Sequence, residues 1–346
     1  MKRILITGGA GFIGTNTAEY FLKKGNKVTL LDNLSRRGSD LNLGLLKNSG
    51  FKFEFYNIDV RDKVAILEHF KNNRYDIIFH LAAQTAVTTS VVNPEEDLEI
   101  NILGSFNVLE AMRILKLDTI LLYSSTNKVY GSMHAVKIEE NNRRYFFRDF
   151  PDGIAEDCQL DFHSPYGCSK GAAEQYILDY SRIYGLNTIT FRQSCIYGTK
   201  QFGIEDQGWV AWFSIAHYYG KPIVIYGNGK QVRDILYIED LVRGYDLAIQ
   251  NIDKTRGNFY NVGGGKFNLS IIEFMDLLEE ISGKKVKYSF DKVRPGDQPV
   301  FVSNNSKIFK DTGWEPKISH QEGVLTLNNW VSKNKELFEK AGILDF

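Results

Sequence analysis

Residues 3–14 read RILITGGAGFIG, and residues 27–32 read KVTLLD. The first five residues are mostly apolar and end at a glycine-rich turn. A helical pattern then runs through Lys24, and a second apolar run closes at Asp32. Strand, turn, helix and strand in that order make one βαβ unit. The glycines satisfy two overlapping spellings, Gly9-x-Gly11-x-x-Gly14 and Gly8-x-x-Gly11-x-x-Gly14. A loop of this kind turns tightly and lets the backbone approach a pyrophosphate at a helix N-terminus, where unpaired N–H groups and the helix dipole favour an anion. Gly8, Gly11 and Gly14, with Phe12 and Ile13 between them, are therefore candidate dinucleotide contacts. An acid at the end of the second strand accepts hydrogen bonds from an adenosine ribose, and its charge opposes a 2′-phosphate. Asp32 thus predicts NAD, with Asn33, Ser35 and Arg36 beside it as further contacts. Arg36 and Arg37 would suit NADP; their plain alternative is a solvated basic turn.

The pattern repeats outward. FKFEFYNID predicts a strand ending at Asp59, and RDKVAILEHFKNN a helix. YDIIFHLAAQ reads as a buried strand, DLEINILGSFNVLEAMRIL as one helix, and TILLYSST as another strand. Strands alternating with helices of this length predict an α/β fold, a doubly wound parallel sheet of the Rossmann kind. Ligands of such sheets lie beyond the carboxyl ends of the strands. Asp59 and Val60 are accordingly candidates for adenine, and Leu81, Ala82, Ala83 and Gln84 for the middle of the cofactor. Ser124–Thr126 is the candidate for chemistry. Asn101 falls in mid-helix, where a polar side chain on a buried face can bridge a loop.

Residues 160–170, LDFHSPYGCSK, precede GAAEQYILDYSRIYG, which reads as a helix closing at Gly185. Tyr166 and Lys170 are four apart and share a helix face. Free tyrosine ionises near pH ~10. A cation at about 4 Å, in an effective dielectric of about 20, is worth roughly 4 kcal/mol, or about three pKa units. That brings a phenol close to neutrality, where it can act as a base. Taken by itself the pair reads as a helix-surface contact, because this spacing is common by chance; the rest of the chain is what favours the functional reading.

Residues 131–163 are polar and aromatic without clear period, which predicts a flap over an active site. LNTITFRQSCIYG reads as a further strand. Beyond Gly198 the long alternation ends, and a smaller C-terminal substrate lobe is expected. The expected division is an NAD-binding domain of residues 1–192 plus roughly 231–265, and a substrate-binding lobe of roughly 193–230 plus 266–346.

The 346 residues are 43% hydrophobic, enough for a sizeable core. Basic and acidic side chains balance at 42 each, which argues against a nucleic-acid partner or a membrane surface. No export signal or spanning run is apparent, and Cys158, Cys168 and Cys195 lack metal-ligand spacing. A cytoplasmic protein with free thiols and no metal is expected.

Together GGAGFIG, LAAQ, YSSTNKVYG, SPYGCSK, GNGKQVRDILYIEDL and RPGDQ resemble the extended short-chain dehydrogenase/reductases, in the nucleotide-sugar epimerase and dehydratase group. The motifs span the chain. Within that group, DNLSRRG, LDFHSPYGCSK and DQGWVAWF resemble the members that invert C2 of a CDP-linked deoxyhexose. The resemblance implies tightly bound NAD and a CDP-sugar substrate. It implies Thr126, Tyr166 and Lys170 as catalytic residues, with Thr126 on the substrate oxygen and Lys170 on the nicotinamide ribose. It also implies substrate contacts from Thr126, Asn127, Gln207, Arg233 and Arg294, the two arginines gripping the diphosphate. A homo-oligomer follows from it too, a dimer through helices of the first lobe or a tetramer.

Two departures matter. The dehydratases follow the threonine with Asp-Glu, which serve water loss; here Asn127 and Lys128 stand there. Where many relatives carry a substrate-binding Asn, this chain has Cys195. The alternatives left open are a 4-epimerase with another sugar pose, a dehydrogenase that releases the keto sugar, and a non-catalytic NAD-sensing regulatory protein on the same fold.

Overall fold

In the computed structural model, which describes residues 1–293 and 298–345, the predicted βαβ unit is β1 (Arg3–Thr7), α1 (Phe12–Lys23) and β2 (Lys27–Leu31). Both strands read exposed once and then buried four times, as strands covered on both faces do. The sheet continues with β3 (Glu54–Tyr56), β4 (Ile77–His80) and β5 (Ile120–Thr126). Its seven strands run in the order Asn258–Val262, Asn187–Gln193, β5, β4, β1, β2, β3. Pairing is parallel, with Ile6 between Leu30 on one side and Phe79 on the other. The order turns back at β1, so the crevice beyond the carboxyl ends of β1 and β4 is the switch point at which such sheets bind ligands.

Helices cover both faces: α2 (Ser39–Asn48), α3 (Lys63–Asn72), α4 (Val87–Val92), α5 (Pro94–Leu98), α6 (Gly104–Ile114) and α7 (Ser164–Tyr184). The Asp62 side chain caps α3 by accepting from the amides of Val64 and Ala65. Leu5, Ile78 and Leu121 of the sheet pack with Val108 and Met112 of α6 and Ile177 of α7. Each such burial stabilises by about 1.5–3 kcal/mol. Among the described residues no helix is long and apolar enough to cross a membrane.

Several elements differ from expectation. The helix read from Asp97 is there and runs without interruption through α5 and α6; what differs is a π-helical turn at Glu99–Leu103 within it. Asn93 and Pro94 start α5, and Gly104 brings the next turn so close to Val60 that a Cβ there would lie 2.7 Å from its methyl. The strand predicted through Asp59 stops at Tyr56. LNTITFRQSCIYG splits after Gln193; its second part, Cys195–Tyr197, leaves the large sheet to pair with Ile235–Tyr237.

The chain divides into two compact units: Met1–Val129, Ser164–Arg192 and Val242–Tyr260 form one; Tyr130–His163, Gln193–Leu241 and the chain from Asn261 form the other. Segment 131–163 is not structureless. It holds an antiparallel hairpin of Ile138–Glu140 with Tyr145–Phe147. Its backbone bonds run into the second unit, from the Tyr145 amide to the Lys230 carbonyl (2.9 Å) and from the Ile154 amide to Val302 (2.8 Å). Arg144 adds an ion pair to Glu273, with Nε 2.9 Å from Oε1. These bonds are why it groups with the second unit, although the expected division put it with the first. Helix Ile271–Ser282 of that unit starts on a capping box of Ser270 and Glu273.

Candidate active site

The glycines of the first turn are there for space. Gly8 has φ +67°, and a Cβ on it would come 2.7 Å from the Ala82 amide nitrogen. A Cβ on Gly14 would sit 2.2 Å from the Gly8 carbonyl. The loop is thus closed on itself and pressed against Leu81–Ala82, with Gly11 at the N-cap of α1, where its own residue adds no side-chain cap. Asp32 is buried and accepts from the amides of Ala10 (3.0 Å) and Leu34 (2.8 Å). Burial pushes its pKa up, and these backbone bonds pull it back down. Each carboxylate oxygen keeps a lone pair for a further donor. Asn33 donates to Asp59 (2.8 Å) and accepts from the Ser35 hydroxyl (2.7 Å). Asp59 is held at about 2, chiefly by its bond to Arg61. The side chain of Val60 is buried in the core, and its carbonyl takes the Asn107 amide at 2.9 Å. These residues, with Phe12 and Ile13 opening α1, fit a dinucleotide: a cradle without side chains at the helix start and an acid at the next strand.

Asn101 bridges a loop as its position suggested. Its Oδ1 takes the Gln84 amide at 2.9 Å and its Nδ2 donates to the Gln84 carbonyl at 3.2 Å, holding the Leu81–Gln84 turn by both backbone groups.

Thr126 ends β5, buried, and its hydroxyl oxygen accepts the Lys128 amide at 3.2 Å. Gly167 of α7 stands so near that a Cβ would lie 3.3 Å from the Lys128 carbonyl. The first turn of α7 therefore abuts the turn after Thr126. Lys170 donates to the Ser124 carbonyl and lies 4.4 Å from the centre of the Tyr123 ring. Thr126, Tyr166 and Lys170 are brought together in this way at the carboxyl end of β5. The Tyr166 amide donates to the Ser90 hydroxyl of α4 at 3.1 Å. Arg36, on the turn after β2, is exposed.

Lys170 is buried, and burial pushes its pKa down to about 7, with Asp97 and Glu174 pulling upward.

Sequence reasoning missed three neighbours. Buried Asp97 accepts from Gln84, Asn101 and Ser169. Buried His80 lies between Thr7 (2.8 Å) and Ser105 (2.9 Å), its pKa pushed to about 3 by burial and then by Lys170. Glu174, buried, pairs with Arg192 at 2.6 Å. Only Glu174 left a legible signal, because it follows Lys170 by one helical turn.

The profile of the GDP-mannose 4,6-dehydratase family matches residues 5–327. CDP-paratose 2-epimerase of Salmonella typhi is 46% identical over 336 residues, which is 95% of this chain and 99% of that protein. The chain belongs to the extended short-chain dehydrogenase/reductases, in the nucleotide-sugar epimerase and dehydratase group. Solved relatives share the fold. UDP-glucose 4-epimerase of Thermotoga maritima, crystallised with UDP-glucose, superimposes with TM-score 0.82 at 29% identity, covering 96% of this chain and 99% of that one. UDP-glucose 4-epimerase of Thermus thermophilus, solved with NAD, gives TM-score 0.81 at 31% identity over the same shares.

As an extended short-chain dehydrogenase/reductase, this chain departs from the dehydratases at Asn127 and Lys128. Neither residue supplies a carboxylate, and the Asn127 amide oxygen lies 3.4 Å from the Thr126 hydroxyl. In the second unit, Arg233 donates to the Gln298 carbonyl at 2.6 Å, and Gln207 exchanges backbone bonds with Ile204 at 3.0 Å. Arg294 lies outside the described residues. Among the described residues, no group of three or more His, Cys, Asp and Glu is placed to hold a metal.

Proposed function

We propose that the chain is an NAD-dependent nucleotide-sugar epimerase that inverts C2 of a CDP-linked deoxyhexose, in the manner of CDP-paratose to CDP-tyvelose. The observation that carries this is end-to-end similarity to a CDP-paratose 2-epimerase. The grouping of Thr126, Tyr166 and Lys170 at the carboxyl end of β5 supports it. Gly8, Gly11, Phe12, Ile13 and Gly14 would hold the pyrophosphate of NAD, Asp32 with Asn33, Ser35 and Arg36 the adenosine ribose, Asp59 and Val60 the adenine, and Leu81–Gln84 with Asn101 the middle. Bound NAD would supply a hydride acceptor that becomes a donor within the same turnover.

A C2–H beside an alcohol is not acidic, so the carbon must be oxidised before it can invert. Tyr166, as phenolate, takes the proton of the C2 hydroxyl and later returns it. Thr126 hydrogen-bonds the same oxygen. Lys170, when charged, favours the phenolate and holds the nicotinamide ribose. Between the two steps the keto sugar turns over, anchored through its diphosphate by Arg233 and Arg294, with Asn127 and Gln207 on the substrate. The missing carboxylates at Asn127 and Lys128 remove the acid and base that water loss needs. Cys158, Cys168 and Cys195 form no disulfide, which suits a reducing cytoplasm. Exposed Ile114 on α6 and Tyr176, Ile183 and Tyr184 on α7 offer an apolar face for a homodimer.

The second reading is a 4-epimerase, favoured by the fold shared with UDP-glucose 4-epimerases. CDP-deoxyhexoses deuterated at C2 or C4, followed by NMR, separate the two. Inversion at C2 with the label retained, and a primary isotope effect from that label only, is the expected result. Inversion at C4 would leave the 4-epimerase, and loss of the C2 label to solvent would rule out transient oxidation.

A further inference from the structure

We infer that Ser90 is a positioning residue for Tyr166, its hydroxyl fixing the backbone that carries the phenol relative to the Leu81–Gln84 turn. Ser90 lies on α4, whose sequence is VTTSVV. All but Ser90 are β-branched, and such side chains lose rotamer freedom in a helix. A helix of 6 residues is also too short to stand alone in water. Val91 and Val92 are 63% and 85% exposed, and Ser90 is the residue of α4 that is buried. The helix is therefore held by its contacts rather than by its own propensity, and those contacts centre on a hydroxyl.

Ser90 is bonded in two directions. Toward the Leu81–Gln84 turn, its amide donates to the Ala86 carbonyl at 3.1 Å, and that carbonyl also takes Gln84 Nε2 at 2.8 Å. The Ala86 amide donates back to Gln84 Oε1, and Asn101 holds both backbone groups of Gln84. Toward α7, the Ser90 hydroxyl donates to the Val87 carbonyl at 2.7 Å, which leaves its lone pairs to accept the Tyr166 amide at 3.1 Å. That amide belongs to the first turn of α7, where N–H groups have no carbonyl of their own helix to reach. Pro165 has no N–H, and the Ser164 hydroxyl serves Gly167, accepting its amide at 3.3 Å. The cap on Tyr166 comes from α4 instead. Ser164 sits at φ +62°, a conformation that a non-glycine residue keeps only where its surroundings enforce it. Removing the Ser90 oxygen takes this acceptor from a buried turn that is already strained, and the turn shifts.

A reacting group displaced by about 1 Å costs about 10²-fold in rate. The holoenzyme carrying Ser90→Ala is expected to keep its NAD and its KM, because the glycine cradle, Lys170 and the substrate arginines are untouched. Its kcat should fall about ten- to a hundred-fold. In a Tyr166→Phe background the same replacement should cost nothing further, since no phenol is left to place. Hydrogen exchange should quicken at least about ten-fold at the Tyr166 amide and stay unchanged at Ile177, well inside α7. If Ser90→Ala does not fold, Ser90→Cys, whose sulfur accepts weakly, takes its place. A wild-type kcat in the folded variant, loss of NAD in step with kcat, an equal loss in both backgrounds, or unchanged exchange at Tyr166 overturns the proposal. It rests on the reading of Tyr166 as the acid–base group, yet the two fail separately. Wild-type turnover of CDP-sugars tests that reading, whereas exchange at Tyr166 is measured without any sugar.

Discussion

Arg192 and Glu174 meet at 2.6 Å with their side chains 2% and 0% exposed. The pair ties α7 to the strand Asn187–Gln193. The Ser125 hydroxyl donates to the other Glu174 oxygen at 2.5 Å, which ties in β5, and the guanidinium lies 4.2 Å from the centre of the Phe259 ring. Two charges taken out of water gain little net stability, but each is costly without the other. Glu174→Gln is therefore expected to destabilise the protein by about 3–5 kcal/mol. The double replacement Arg192→Met with Glu174→Leu should cost much less. Urea unfolding of the three proteins checks this, and equal losses for single and double variants would contradict it.

Tyr166→Phe removes only the hydroxyl of a buried ring at the start of α7. Fold and bound NAD should persist while kcat falls about 10²–10⁴-fold, the usual share of an acid–base group. Nucleotide chromatography of the denatured protein reads the cofactor, and NMR of the sugar reads turnover. Near-normal turnover would take Tyr166 out of the chemistry.

His80 is neutral in the fold, its pKa lowered from 6.5 to about 3. The unfolded chain binds the proton first, so stability falls as the pH drops below 6.5 and the loss is complete near pH 3. At about 1.4 kcal/mol per unit, roughly 2 kcal/mol is lost by pH ~5. His80→Gln retains hydrogen-bonding groups but has no proton to gain. Its unfolding free energy should fall less between pH ~7 and ~5, by about that amount. Parallel urea titrations that lose stability equally would show that His80 does not titrate as described.

The first βαβ unit was fully legible because its signals are local. An apolar run, a turn that only glycine fills and an acid at the next strand end are properties of adjacent residues. The Tyr166–Lys170 spacing was legible for the same reason. The π-helical turn between α5 and α6 was not, and neither was the approach of Gly104 to Val60, which are distant in sequence. Segment 131–163 was illegible too, because its backbone is held at Tyr145 by Lys230 and at Ile154 by Val302, far along the chain.

Sequence by itself determined the order of strands and helices, the cradle of Gly8 and Gly14, the acid Asp32, and which side chains are chemically able to move a proton. Residue type and spacing suffice for these, because each depends on backbone freedom or on a functional group. Only the tertiary structure decided the state of the charges. Lys170 is an ammonium or an amine according to what surrounds it. Burial lowers its pKa and the charges of Asp97 and Glu174 raise it, and a group's pKa is set by its surroundings in space rather than by its neighbours in the chain.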